Sequence, residues 1–242
     1  MRLAGREVET PWGRDDGAGA GRRVGEIWFE AANGQELPLL VKYLFTAEPL
    51  SVQVHPNEAA ARARGLPHGK SECWYVVAAE PGARIGLGFT RALSADALRA
   101  AAADGSIERE MGWHEAKAGD FFSVPAGTVH AIGAGLTLIE VQQPSDVTYR
   151  LHDYGRGRTL HLDEAVAVAD RGPYREPRRR GEGVLLDGPH FAVARLAPGG
   201  ADPFAGRPRF LLPLGPAPAC LYLEPGEPLA ALGGPALLAA AP

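Results

Sequence analysis

Apolar and polar positions change their period several times along the chain. Residues 50–55 (LSVQVH) alternate strictly, with Leu50, Val52 and Val54 set against Ser51, Gln53 and His55. That period of two is the mark of a strand buried on one face. Residues 24–29 (VGEIWF), 37–45 (LPLLVKYLF), 72–78 (ECWYVVA) and 83–89 (ARIGLGF) are more continuously apolar, branched or aromatic. Flanking Gly, Pro and Asn bound them, and they too predict strands. Further strands are expected at 120–124, 129–132 and 136–142, then at 184–187, 190–196, 209–214 and 219–223. Helical signals are fewer. Residues 57–64 (NEAAARAR) open on Asn57 as a cap, and 94–104 (SADALRAAAAD) open on Ser94 and stop before Gly105. A last short helix is expected at 161–170.

Many short strands with turns every 8–12 residues point to a sandwich or barrel. Composition agrees: 31 glycines and 21 prolines among 242 residues argue against a long helical bundle. The basic, Pro-containing stretch 171–182 (RGPYREPRRRGE) is expected to be an exposed connector. It divides a main unit, 1–170, from a smaller β unit, 183–242. A formal charge of −4 makes the chain a poor general binder of nucleic acid, whose phosphates need Lys and Arg. No run of 18 apolar residues could span a membrane, and the opening MRLAGREVETPWG lacks the apolar core of a secretory signal. The expected location is cytoplasmic. Cys73 and Cys220, far apart in sequence, suggest no disulfide framework.

Ser51, Gln53 and His55 share the polar face of one strand. An imidazole on a polar inner face of a β-barrel suits a ligand or metal cavity. Residues 119–130 (GDFFSVPAGTVH) describe a strand, a Pro-x-Gly turn and a strand that opens on His130. This spacing resembles the second motif of the cupin superfamily, with Ala134 where an Asn is often found. The fold expected is therefore mainly β: a cupin-type double-stranded β-helix (jelly-roll) barrel with short helices, followed by a degenerate cupin-like β unit.

Longer segments narrow the resemblance. PLSVQVHPNEAAARARGLPHGKSECWYVVAAEPGARIGLGF (49–89), PAGTVHAIGAGLTLIEVQQPSDVTYRLHDYGR (125–156), GEIWFE (25–30) and LVKYL (40–44) resemble the type I mannose-6-phosphate isomerases, in the right order. The resemblance covers about residues 10–165 and fades in the C-terminal third. It implies four metal ligands, Gln53, His55, Glu72 and His130. Two imidazoles, a carboxylate and an amide oxygen suit one divalent cation, zinc first, with manganese or iron also compatible. It further implies that Lys70 and Arg150 are catalytic and that Asp146 is at the substrate, where a charge-assisted contact from Asp146 is expected to orient Arg150. Ser51, on the ligand strand, is assigned to substrate as well. Lys70 precedes Glu72 by two residues, so an extended chain turns both to one face. His68, near Lys70 in the loop, is read as a local polar contact; His114, His152, His161 and His190 lack a second ligand at useful spacing, and Trp12 and Trp28 are read as core. Arg156 is read as solvated, and Cys73, next to Glu72, should face away into packing.

The activity implied is interconversion of mannose 6-phosphate and fructose 6-phosphate through a cis-enediol. A proton must move between two carbons while charge develops on oxygen. Lys70, Glu72, a histidine and a metal-bound hydroxide all remain open as the base. Two other classes fit a cupin: a non-catalytic module that binds a sugar phosphate, and a metal-dependent oxygenase. The partner expected is a small phosphosugar, with no nucleic acid and no membrane.

Overall fold

Strands that are apolar on both faces need partners on both, and the chain supplies them by stacking layers. The computed structural model describes residues 1–15, 21–229 and 233–242. In chain order its elements are β1 (Ala4–Asp15), β2 (Arg23–Glu30), β3 (Leu40–Thr46), β4 (Val52–Val54), α1 (Glu58–Arg62), β5 (Glu72–Ala79) and β6 (Arg84–Phe89). There follow α2 (Ala95–Asp104), α3 (Ile107–Glu110), β7 (Met111–Glu115), β8 (Phe121–Val124), β9 (His130–Ile132), β10 (Leu136–Gln142), β11 (Tyr149–His152) and α4 (Leu162–Val168). The C-terminal strands are β12 (Gly183–Asp187), β13 (Ala192–Leu196), β14 (Arg209–Pro213), β15 (Leu221–Leu223) and β16 (Ala236–Ala240).

Three antiparallel sheets result. One has the order β1-β2-β3-β10-β5-β8, the second β11-β4-β9-β6-β7, the third β12-β13-β16-β14-β15. The first two face each other across a core that includes Leu44, Trp74, Ile85, Leu87, Phe122 and Leu138. This is the mainly β, cupin-like barrel. Helices α2 and α4 cover the outside of the second sheet through Leu98, Ala101, Ala165 and Val166. The third sheet covers the outside of the first, where Val41, Tyr43, Cys73, Tyr75 and Val141 meet Phe191, Val193, Phe210 and Leu237. Its own far face is lined by Ala192, Ala194, Leu211 and Leu238. Alternation thus sends Val41 and Tyr43 to the C-terminal sheet and Lys42 and Leu44 into the barrel. Cys73 is buried among apolar groups on the far side of β5 from Glu72.

The capped helices form where their signals lie. Asn57 Oδ1 accepts from Ala60 N at 2.9 Å, and Ser94 Oγ from Ala97 N at 3.1 Å. Four strands and α3 escape the sequence reading. β1 is a charged edge strand, exposed over most of its length, and so lacks an apolar face to read. β16 (ALLAA) is fully buried in mid-sheet but rich in alanine, a residue depleted in strands. β7 and β11 are short and mix polar with apolar residues. Among the described residues, no helix is long and apolar enough to cross a membrane.

Candidate metal centre

Strand β4 lies between Pro49 and Pro56 and turns Val52 and Val54 outward, toward the helices. Gln53 and His55 therefore face the barrel interior. The register brings Gln53 opposite His130 on β9 and opposite Arg150 on β11. Glu72 opens β5 from the facing sheet. His55, Glu72 and His130 are each 1% exposed, and their ligand atoms lie within 4.8 Å of one another.

Second partners aim the imidazoles. His55 Nδ1 lies 2.8 Å from the Val147 carbonyl, and His130 Nδ1 lies 2.9 Å from the Thr128 carbonyl. A carbonyl only accepts, so each Nδ1 carries the proton and each Nε2 turns a lone pair inward. Those Nε2 atoms stand 3.3 Å and 3.4 Å from Glu72 Oε2 and Oε1. Neither Glu72 oxygen has a well-aligned hydrogen bond, although Lys70 Nζ is 2.8 Å from Oε2. Converging lone pairs around an unbonded, buried carboxylate are what a divalent cation needs, and the outer carbonyl partners match the usual support of such sites. Gln53 extends the set, its Nε2 3.2 Å from His130 Nε2 and its Oε1 accepting from Ser51 Oγ at 3.0 Å. Turning the amide over presents oxygen to the centre and lets Ser51 accept instead.

Charge in the site follows burial. Burial lowers His55 to about 3, helped by Lys70 and opposed by Glu72. Burial also lowers His130, so both imidazoles are neutral, as metal binding requires. Burial works to raise Glu72, but Lys70 and then the imidazoles outweigh it and hold the carboxylate ionised. Burial likewise pulls Lys70 down, and Glu72 and Glu140 overcome it and raise it.

Lys70 comes off a loop pressed against the β4–α1 junction, its N donating to the Pro56 carbonyl at 2.9 Å. Gly69 permits this approach, since a Cβ there would fall 2.7 Å from Asn57 C and Glu58 N. Glu58 Oε1 also accepts from Gly69 N at 3.0 Å and from Gln143 Nε2 at 2.6 Å. Arg150 is half-buried, and its Nε has no hydrogen bond. Burial and Arg158 lower its pKa. The expected pairing of Asp146 with Arg150 does not form. Asp146 stays two-thirds exposed, with Oδ1 4.0 Å from Lys42 Nζ. Arg156 is held by Asp153, 3.0 Å away, rather than left to solvent. Trp12 is core, whereas Trp28 carries Lys42 Nζ over its ring at 4.2 Å.

A second buried polar group adjoins the first and escapes the sequence reading. Trp28, Lys42, Glu140 and Trp74 are successive cross-strand partners over β2, β3, β10 and β5. Lys42 Nζ sits 3.4 Å from Glu140 and 3.7 Å from Glu26, and Trp74 Nε1 donates to Glu140 at 3.0 Å. Burial and then Glu72 raise Glu140. The available signal was a lone Lys and a lone Glu inside the apolar runs LVKYLF and LTLIEV.

Residues 22–87 match the model of the phosphomannose isomerase type I catalytic domain. The mannose-6-phosphate isomerase of Streptococcus mutans is 43% identical over 150 residues, 60% of this chain and 47% of that protein. The chain spans about half the length of the curated relatives it matches. The crystal structure of the Bacillus subtilis mannose 6-phosphate isomerase superposes with a TM-score of 0.74 at 24% identity, over 98% of both chains. A mannose 6-phosphate isomerase crystallised with zinc and yttrium superposes at 0.70, with 15% identity, over 99% of this chain and 98% of that one. In sequence over residues 22–87 the chain is similar to the type I phosphomannose isomerase catalytic domain, and in fold over nearly its whole length it is similar to mannose 6-phosphate isomerases.

Proposed function

We propose that the protein is a metal-dependent aldose–ketose isomerase that interconverts mannose 6-phosphate and fructose 6-phosphate. The observation that carries this reading is the inward convergence of His55, Glu72 and His130 beside Lys70, with His55, Lys70 and Glu72 inside the segment 22–87 that is similar to the isomerase catalytic domain. Residues 1–170 form the catalytic unit in this proposal. Gln53, His55, Glu72 and His130 would hold one divalent cation, with zinc favoured by the donor set and by the zinc-bound structural relative. When bound, such a cation supplies Lewis acidity toward sugar oxygens.

The chain's own residues do the rest. Lys70 Nζ, kept protonated by Glu72 and Glu140, donates a hydrogen bond to a sugar oxygen where enediolate charge develops. Arg150, with its unbonded Nε, offers a permanent charge to the enediolate or the phosphate. Ser51 orients the Gln53 amide, and through it the sugar side of the site. Asp146, exposed beside Lys42, meets substrate at the mouth. Burial of the ligand set keeps bulk water from the proton that moves between the two carbons.

Metal content of the purified chain, followed by mannose 6-phosphate conversion with and without chelator, tests the proposal. About one divalent ion per chain and chelator-sensitive turnover are expected. Bound metal with no turnover on the phosphosugar overturns the substrate assignment. Metal-dependent oxygen consumption on that sample would favour the oxygenase class instead.

A further inference from the structure

Residues 170–180 run along the outside of the barrel, fastened to it along their length. At the far end, Arg180 Nε meets Asp120 at 2.5 Å, and Arg179 and Phe121 exchange backbone hydrogen bonds of 2.9 and 3.0 Å. In the middle, the Gly172 carbonyl accepts from Phe89 N at 3.1 Å. The strap passes so close there that a Cβ on Gly88 would fall 2.6 Å from Tyr174 N. At the near end, Asp170 N donates to the Gly127 carbonyl at 2.7 Å, and an isolated parallel bridge joins Asp170 to Thr128. Asp170 Oδ1 closes the strap's own turn by accepting from Gly172 N at 3.0 Å.

The near anchor falls on the turn that aims a ligand. The Thr128 carbonyl takes the His130 Nδ1 proton, and Gly127 N donates to the His55 carbonyl at 2.9 Å. The Gly127–Thr128 segment therefore touches both histidine-bearing strands on one side and Asp170 on the other. We infer that Asp170 is a positioning residue for His130: it holds the Gly127–Thr128 turn, which fixes the carbonyl that orients the imidazole. The strap bears on the metal ligands at this near anchor, while its far anchor at Asp120 holds the fold. The inference rests on the metal reading proposed above.

Zinc chloride titrated into the chelator-stripped full chain, against a competing chromophoric chelator, reads the coupling. The thermal midpoint of each metal-free variant is recorded alongside. Asp170→Pro removes the N–H to Gly127 and the side-chain turn. Ala169, at φ −68° and ψ 130°, already has the conformation that a following proline requires. Its zinc Kd is expected to rise about 10-fold, the low end of what losing an outer partner of a ligand costs. Asp170→Asn, which keeps both hydrogen bonds, is expected to bind as wild type does. Arg180→Ala loosens the far anchor and should lower the thermal midpoint with no change in Kd. A wild-type Kd in Asp170→Pro, or an equal rise in Arg180→Ala, overturns the inference. If the proline variant does not fold, Asp170→Ala takes its place: a smaller rise is expected, and an unchanged Kd overturns. A wild-type chain that takes up no zinc overturns the metal reading first, and this inference with it.

Discussion

Two buried cations, Lys70 in the barrel and Arg209 in the C-terminal sheet, are satisfied in opposite ways. Arg209 is 0% exposed, and its guanidinium is used on every side. Its Nε donates to the Arg207 carbonyl at 3.0 Å, its Nη2 to the Glu224 and Glu227 carbonyls at 2.7 Å each, and its Nη1 pairs with Asp202. Lys70 faces Glu72 and His55 Nε2, yet both Glu72 oxygens and the nearby Arg150 Nε lack hydrogen bonds. A closed polar network fixes one conformation. An open one keeps donors and acceptors free for a ligand and carries a standing cost until it arrives. One region uses a buried charge to hold the fold, and the other, in the function proposed above, uses it to hold a site.

The strongest way to break that contrast is to remove a partner from each side. His130→Ala should lower zinc affinity by more than about 100-fold, beyond what outer partners cost, and abolish turnover. Metal analysis and mannose 6-phosphate conversion check this, and retained metal with full activity sinks the ligand assignment. Arg209→Met leaves Asp202 without its cation in a nearly closed environment, so stability should fall by about 3–5 kcal/mol. Urea unfolding reads the loss, and zinc Kd should not move. A zinc site lost together with Arg209 would make the two networks one.

The difference in legibility follows the same physics. Gln53 and His55 stood out because a polar face on an alternating strand is visible in a single sequence, and the resemblance added Glu72, Lys70 and His130. Lys42 and Glu140 did not stand out, because strands buried on both faces read as apolar throughout and hide a charge that points inward. Arg209 opens β14 beside Phe210, where a charge at the end of an apolar run carries no sign of being buried. The helices announced themselves through Asn57 and Ser94, whereas β1 and β16 did not, one being charged at an edge and the other alanine-rich in a core. The Asp146–Arg150 contact failed because adjacency in sequence does not fix which cation a loop carboxylate meets. Here it meets Lys42, from a different strand.

Acid should act on the open network. Unfolded imidazoles titrate near 6.5, while burial holds His55 at about 3 and His130 below its ordinary value. Below pH about 6.5 the unfolded chain therefore binds more protons than the folded one. Stability of the metal-free protein should fall as pH drops below that point, by up to about 1.4 kcal/mol per pH unit for each imidazole, with the His55 contribution continuing toward pH about 3. Glu72, depressed by Lys70 and the imidazoles against burial, adds to the loss below its ordinary range. Urea midpoints of chelator-treated protein between pH 8 and 4 measure the slope. His130→Ala should make it shallower, and an equal slope would show that the buried imidazoles do not drive it.

The smallest effect separates the ligands from Lys70 within the open network. Asn57 caps α1, and Asn57→Ala should cost about 1 kcal/mol. Helix α1 presents Glu58, whose Oε1 ties down Gly69 and Gln143 beside the Lys70 loop. His55 lies ahead of the helix and is oriented by Val147, so fraying of α1 reaches Lys70 before it reaches the ligands. Turnover should therefore drop a little while zinc Kd stays at its wild-type value. A Kd that rises in step with the lost turnover would instead make residues 56–70 part of the ligand scaffold, and the division of labour between Lys70 and the histidines would have to be redrawn.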